Sequence, residues 1–248
     1  MKYLIAVPVW NKEGMIEWML RGLAENINPE EAEILFYFDA CRDQSEENFK
    51  NLAPDILSEF KYSHFSGTSP QEERGCHYLL IDRFMKTDCD VMLVTQDDNR
   101  LQSQTILQDL TKLITSLGDQ VGFIGGRDGY NAGYQDMISS PFSASVLARS
   151  KLPIGGYALR DSVNPGPLVY CRSLVEILGN HNPVFKTWYW WDDYSLRAKA
   201  VGLQNAVLGM DILHMKFGSF AESETNKDLN GWAAKDLATL RSRHRNFL

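Results

Sequence analysis

This chain has no hydrophobic run of membrane length, no glycine-rich phosphate cradle, no paired cysteines and no basic excess. Each absence removes a class of function. The opening apolar stretch, Tyr3 to Val9, is seven residues long and soon turns polar, whereas a spanning helix needs about 20. No small-residue cleavage site follows it, so it reads as a first strand rather than a leader. The turn after it, PVWNKEG, carries a single glycine, where a dinucleotide fingerprint needs a series of them, and no G-x-x-x-x-G-K-[ST] occurs; dinucleotide dehydrogenases and P-loop NTPases are argued against. Cys41, Cys76, Cys89 and Cys171 show no C-x-x-C spacing and no nearby histidine pair, which reads as free thiols in a reducing compartment. Twenty-five basic against 32 acidic residues leave a formal charge of −7, which speaks against general affinity for nucleic acid. The local exception, Arg241, Arg243, His244 and Arg245, reads as a solvated helix end whose cations suit the helix dipole.

What is present is the balance of an ordinary globular protein. The 248 residues are 44% hydrophobic and 23% charged, enough to bury a large core. No linker, repeat or low-complexity tract divides them. Tyr3–Val9 and Ile34–Phe38 read as strands, and Met15, Ile16, Met19, Leu20 and Leu23 give the helix between them an apolar face at three-to-four spacing. Asp43 with Glu46 resembles a capping box for a helix carrying Phe49 and Leu52. A third helix, from about Gln71 to Met85, leads to a strand at Val91. This alternation is the mark of parallel βαβ units. Beyond it, helices are expected at Ile106 to Leu117, Arg172 to Leu178 and up to Ala200, and strands at Val121–Ile124, Leu168–Cys171 and Leu203–Leu208. A last helix, roughly Leu229 to Leu240, is expected to dock through Leu229, Trp232, Ala233, Leu237 and Leu240. Gly129 to Pro167, rich in Gly, Pro, Ser and Asn, reads as a binding loop or lid.

The stretch Val91 to Asn99, VMLVTQDDN, carries the chemistry. A β-branched apolar strand that ends abruptly in acid opens on a crevice if it belongs to a parallel sheet. Adjacent carboxylates there repel and lose hydration unless a cation offsets the cost, and a divalent metal is the natural partner. A nucleotide held without a glycine cradle needs its charge met by metal or arginine, and Arg74 is a candidate. A second acid pair, Asp192 and Asp193, follows Trp188, Tyr189, Trp190 and Trp191. Aromatic faces beside carboxylates suit a sugar, whose C–H faces stack and whose hydroxyls donate, although core packing and helix capping account for the same residues. His214 follows a strand and joins this company as a possible ligand.

In order along the chain, VPVWN, DACRDQS, VTQDDN, GPLVYCRSLVEILG, WWDDYSLRAKAVG and HMKFGS resemble successive motifs of the inverting GT-A glycosyltransferases. The resemblance covers almost the full length. It implies an α/β fold: a single GT-A (Rossmann-like) domain with a mixed, mostly parallel central sheet, helices on both faces and a C-terminal helix. Residues 1–100 would form the nucleotide-sugar half, 101–225 the acceptor-binding and catalytic half, and 226–248 the C-terminal helix. The implied activity is transfer of a sugar from a nucleotide-diphosphate donor to an acceptor hydroxyl with inversion, assisted by Mn2+ or Mg2+.

The same resemblance distributes the roles. Pro8, Asn11, Asp39, Arg74, Gln96 and Asp97 fall on the donor; Asp98 and His214 on the metal; Gly126, Arg127, Trp190 and Trp191 on the acceptor; Asp193 is the base, with Asp192 as its alternative. The acceptor would be a glycan or a lipid-linked glycan, met on the cytoplasmic side with at most peripheral contact at the inner face of a membrane. Three departures stand out: Gln96 replaces the first acid of the metal motif, Ala40 and Cys41 replace a glycine and a serine, and Asp192 shortens the Glu of a Glu-Asp pair. A nucleotidyltransferase, or a non-catalytic nucleotide- or sugar-binding module of the same fold, are the competing expectations.

Overall fold

The computed structural model describes residues 1–128, 152–186, 188–214 and 229–245. The first strand, β1 (Tyr3–Val9), runs inside the sheet, parallel to β2 (Ala32–Phe38) on one side and to β4 (Val91–Val94) on the other. Covered on both faces, these strands are apolar runs rather than alternations: all four residues of β4 are buried. β3 (Tyr62–Ser66) extends the sheet beyond β2. Helices α1 (Ile16–Asn26), α2 (Ser45–Ile56) and α3 (Glu72–Phe84) make the crossovers.

After β4 the chain forms a short strand, β5 (Asn99–Leu101), then α4 (Ile106–Leu117) and β6 (Val121–Asp128). The second part comprises β7 (Tyr157–Arg160), β8 (Val163–Cys171), α5 (Arg172–Leu178), α6 (Trp190–Ala200), β9 (Gln204–Leu208), β10 (Ile212–His214) and α7 (Leu229–Arg243). The eight-stranded sheet has the order β3-β2-β1-β4-β8-β6-β9-β7. It is mixed and mostly parallel: β8 is antiparallel to β4 and β6, and β7 to β9. β5 and β10 pair separately as an antiparallel ribbon. Among the described residues, no helix is long and apolar enough to cross a membrane.

The register decides what meets what. Val94 faces Leu168 across the β4–β8 ladder, and Asp128 faces Val163 across β6–β8. The carboxyl ends of β1, β2, β4 and β6 and the amino end of β8 therefore share one edge. All four non-glycine residues of positive φ among the described residues lie there: Asn11 after β1, Ala40 after β2, Glu72 at the start of α3 and Tyr189 just before α6. Left-handed backbone of this kind costs on the order of 1 kcal/mol at each position and gathers where a site is built.

Several sequence expectations need correction. β8 begins at Val163, not Leu168, because Pro165, Gly166 and Pro167 punctuate a stretch that the ladder nevertheless holds. β7 is an edge strand without a buried residue, so it carries no periodic signal; with β8 it occupies part of the expected loop, whose residues 129–151 lie outside the described ones. β3 escaped notice because it is polar and largely exposed. Asp43 does not cap α2 in a box. Its carboxylate accepts the Ser45 N–H and Oγ–H and the Glu13 N–H, tying the β1–α1 turn to α2, while Glu46 pairs with Lys50.

Candidate active site

The turn after β4 is the hub of the shared edge. Thr95 N–H extends the ladder to Ala6. Gln96 Nε2 donates to Glu73 Oε1 at 2.8 Å, fastening the turn to α3. Asp97 Oδ2 accepts the Trp10 N–H at 2.8 Å, fastening it to the β1–α1 turn. Asp98 Oδ2 lies 3.2 Å from His214 Nε2, because the β5–β10 ribbon sets His214 opposite Asn99. Two residues 116 positions apart in the chain, 214 minus 98, are thus brought into contact by a three-residue strand.

Four buried polar atoms of this one turn lack a hydrogen-bond partner among the described residues: Thr95 Oγ1, Gln96 Oε1, Asp98 Oδ1 and Asn99 Nδ2. Buried polar groups are almost always paired, so such a cluster within one turn sets this edge apart from the rest of the described residues. Burial, reinforced by the charge of Asp98 and opposed by Lys12, pushes the Asp97 carboxyl above its ordinary range. A cation arriving here relieves that repulsion. The donor set, one carboxylate with an unpaired oxygen and one imidazole nitrogen, is of the kind that suits Mn2+ or Mg2+. Asp98 and His214 already stand about as far apart as neighbouring ligands of one ion.

A second acidic group, Glu33, Asp88 and Cys89, also clusters at metal-ligand spacing. It belongs to the opposite, amino-terminal edge, and Lys2 and Lys61 already meet its carboxylates at 2.7 to 2.9 Å. That group is already neutralised, whereas Asp98 Oδ1 has no hydrogen-bond partner among the described residues.

Arg74 projects from the first turn of α3, next to the Glu73 that holds Gln96. Its Nε is buried without a partner among the described residues. Asp39, 3% exposed, accepts the Tyr37 hydroxyl at 3.0 Å and the Gln71 N–H at 2.8 Å; burial raises its carboxyl above the ordinary value. Asn11 Oδ1 accepts the Arg42 N–H, bracing the turn between β1 and α1. Pro8 is inside β1, paired with Tyr37, rather than in that turn.

The second acid pair begins α6. Both carboxylates are buried, Asp192 completely and Asp193 to 1% exposure. Ser162, just ahead of β8, donates to Asp192 Oδ1 at 2.5 Å, and Ser195 Oγ lies 3.3 Å from the Val163 N–H it accepts. These two bonds set the start of α6 against the same edge as the acidic turn. Asp193 Oδ1 is 2.8 Å from His244 Nε2 and accepts from Arg243 Nε at 3.1 Å. The basic cluster at the carboxyl end is therefore not simply a solvated helix end: His244 is 8% exposed. No local sequence signal announced this pairing, which joins residues about fifty positions apart.

The acceptor-side residues behave differently from expectation. Trp190 and Trp191 are 1% and 3% exposed, and Trp190 packs on His77 and His181 with ring centroids 4.7 and 4.6 Å away. They belong to the core, so any stacking surface for a sugar lies elsewhere. Gly126 is enclosed too, since a Cβ there would meet Pro167 Cδ at 2.7 Å. The Arg127 backbone pairs with Asn164, and its side chain lies outside the described part.

Burial raises the Asp192 carboxyl to about 7, with hydrogen bonding from Ser162 opposing the shift. Between pH 4 and 7 the folded chain then holds a proton that the unfolded chain has released. The stability it contributes is full below pH 4 and is lost as pH rises through 7. Asp192→Asn keeps an oxygen for Ser162 and removes that loss. Its melting temperature should match wild type near pH 4 and exceed it at pH 8, each kcal/mol being worth about 2–4 °C in a chain of this size. A gap that stays constant across a pH series of melts would refute the burial argument.

No known protein family and no curated protein matches the sequence. Solved structures do match the fold. A mannosyltransferase from Pyrobaculum calidifontis, solved with GDP-Man and Mn2+, superposes with a TM-score of 0.61 at 12% identity, over 85% of this chain and 55% of that one. Residues 1–349 of TarS from S. aureus, solved with UDP, give 0.59 at 14%, over 84% of this chain and 58% of that one. GalNAc-T7, solved with UDP, GalNAc and Mn2+, gives 0.71 at 8%, over 98% of this chain and 48% of that one. The chain spans about half the length of the solved chains it matches. What these likenesses share is the fold, and this chain has it: the GT-A fold of nucleotide-sugar glycosyltransferases.

Proposed function

We propose that this chain transfers a glycosyl group from a nucleoside-diphosphate sugar to an acceptor hydroxyl, with inversion and with the help of a divalent cation. The reading is carried by the acidic turn, where Asp98 and His214 stand 3.2 Å apart beside four unpaired buried polar atoms. Asp98 and His214 would hold the cation, which supplies charge neutralisation for the diphosphate. Arg74 adds a fixed positive charge on the α3 side and, with Asp97, meets the diphosphate, while Asn11 and Asp39 frame the nucleoside.

On the acceptor side Asp193 is the base. Its Oδ1 is held by two donors, and its Oδ2 accepts no hydrogen bond among the described residues, with Arg197 Nη1 at 3.9 Å. The acceptor oxygen bonds to the anomeric carbon from the face opposite the diphosphate and passes its proton to Asp193. The bond from that carbon to the diphosphate oxygen breaks with its electron pair, and the nucleoside diphosphate departs. A second reading gives the base role to Asp192, favoured by its proton affinity near neutral pH. The acceptor is a glycan or lipid-linked glycan on the cytoplasmic side in either case.

Thermal unfolding with GDP, UDP, GDP-mannose and UDP-GlcNAc, each with and without Mn2+, tests the reading. A ligand at about a hundred times its dissociation constant adds roughly 2.7 kcal/mol. The expected result is a Mn2+-dependent shift with one base, and Mn2+-dependent release of nucleoside diphosphate from the matching sugar nucleotide. A shift without release identifies a binding module. Release of pyrophosphate from a nucleoside triphosphate and a sugar phosphate identifies a nucleotidyltransferase. No shift at all overturns the donor site.

A further inference from the structure

The carboxyl-terminal helix α7 buries an unusual stripe. Asp236 and Leu240 of α7 and His244, which follows its last residue and whose N–H still bonds the Leu240 carbonyl, recur at four-residue spacing, so they share one face, and they are 3%, 0% and 8% exposed. Of the apolar face expected from Leu229, Trp232, Ala233, Leu237 and Leu240, the middle three are only half-buried, the Leu229 side chain lies outside the described part, and Leu240 is shared with the buried stripe. Two of the three buried residues are thus polar, and both reach the segment that carries the acid pair. Asp236 accepts the N–H groups of Lys186 and Trp188 at 3.0 to 3.3 Å, on the approach to α6. His244, together with Arg243, meets Asp193 itself.

A helix docked for stability alone would bury an apolar stripe, because each buried polar group costs free energy unless its partner is well placed. Here the partners are the backbone that leads into α6 and the carboxylate in its first turn. The two attachments lie two helical turns apart, so α7 acts as a rigid splint across this segment. Without it, the Asp193 carboxylate would keep, among the described residues, only the distant Arg197, whose guanidinium is already committed to the Leu178 and Asn180 carbonyls and stacked on Tyr194.

We propose that α7 completes the catalytic centre, with His244 and Arg243 as positioning residues that fix the Asp193 carboxylate so that Oδ2 faces the acceptor hydroxyl. The proposal rests on the transferase reading above. A carboxylate misplaced by about 1 Å loses on the order of a hundredfold in rate, so His244→Ala should lower kcat by about that factor. The KM for the sugar nucleotide and the Mn2+-dependent shift with its nucleoside diphosphate should not change, since the donor is held at the acidic turn. His244→Gln, whose amide N–H reaches where Nε2 stands, should restore most of the rate. Arg243→Gln, at a half-exposed position that tolerates substitution, should lower kcat in the same direction with KM unchanged. Arg241→Gln removes an exposed neighbouring charge and should be silent.

The readout is release of nucleoside diphosphate from GDP-mannose or UDP-GlcNAc, whichever the wild type turns over, with melting temperatures recorded alongside. Full kcat in His244→Ala, even with a lowered melting temperature, overturns the proposal and leaves α7 an anchor. Joint loss of kcat and donor binding without rescue by glutamine overturns it too. If His244→Ala does not fold, Arg243→Gln and His244→Gln decide: unchanged kcat in the first, or a large loss in the second, refutes positioning. Turnover by the wild type with neither variant affected sinks this inference alone. A wild type that turns over neither donor sinks the transferase reading and the inference with it.

Discussion

Asp193→Asn should lower turnover by about a hundred- to ten-thousand-fold, the range that a positioned base contributes, while the nucleoside diphosphate still raises the melting temperature. The asparagine oxygen can keep the contacts with Arg243 and His244, so α7 stays docked and the loss falls on chemistry. Its amide cannot take the acceptor's proton. Steady-state release of nucleoside diphosphate, with a parallel thermal shift, separates the two effects. Near-normal turnover in Asp193→Asn beside a collapse in Asp192→Asn would move the base by one residue. In that case the rate should climb with pH up to about 7, where Asp192 gives up its proton.

Asp98→Asn should abolish the Mn2+-dependent shift and cut donor turnover by a hundredfold or more, since even outer partners of metal ligands are worth about 10–100-fold. The metal-free variant should nevertheless melt higher than wild type. Burial and the charge of Asp98 together raise the proton affinity of the half-buried Asp97, and removing that charge relieves part of the cost that the pair brings to the fold. Less active yet more stable is what a functional carboxylate predicts, because sites are kept at a cost to stability. A variant that melts lower and still responds to Mn2+ would mean that Asp98 is structural and the cation binds elsewhere.

The core strands and most helices could be read from the chain because local pattern and global fold agree there. β1 and β4 are apolar runs since both faces are covered, and α1 and α4 show their buried faces at three-to-four spacing. The helix expected up to Ala200 ends there, and Gly202 two residues on takes φ +86°, the left-handed backbone that closes a helix. The acid after β4 was legible for a similar reason: polar residues ending a doubly covered strand have only the crevice to face. Edge strands without buried residues, such as β7, lacked any such signal.

The aromatic run Trp188 to Trp191 shows the limit of that reasoning. Composition cannot tell a sugar platform from a core, and only the packing of Trp190 on His77 and His181 decides for the core. The sequence by itself determined the order of the buried strands and their crossover helices, the edge on which the acids gather and the pairing of chemistry with strand ends. Those follow from periodicity and burial, which act over a few residues. The resemblance already paired Asp98 with His214, and the structure sets them 3.2 Å apart; the tertiary structure alone decided that a helix from the end of the chain grips Asp193. Contacts between residues fifty to more than a hundred positions apart are set by strand register and helix docking, and no local pattern encodes which side chain will be met there.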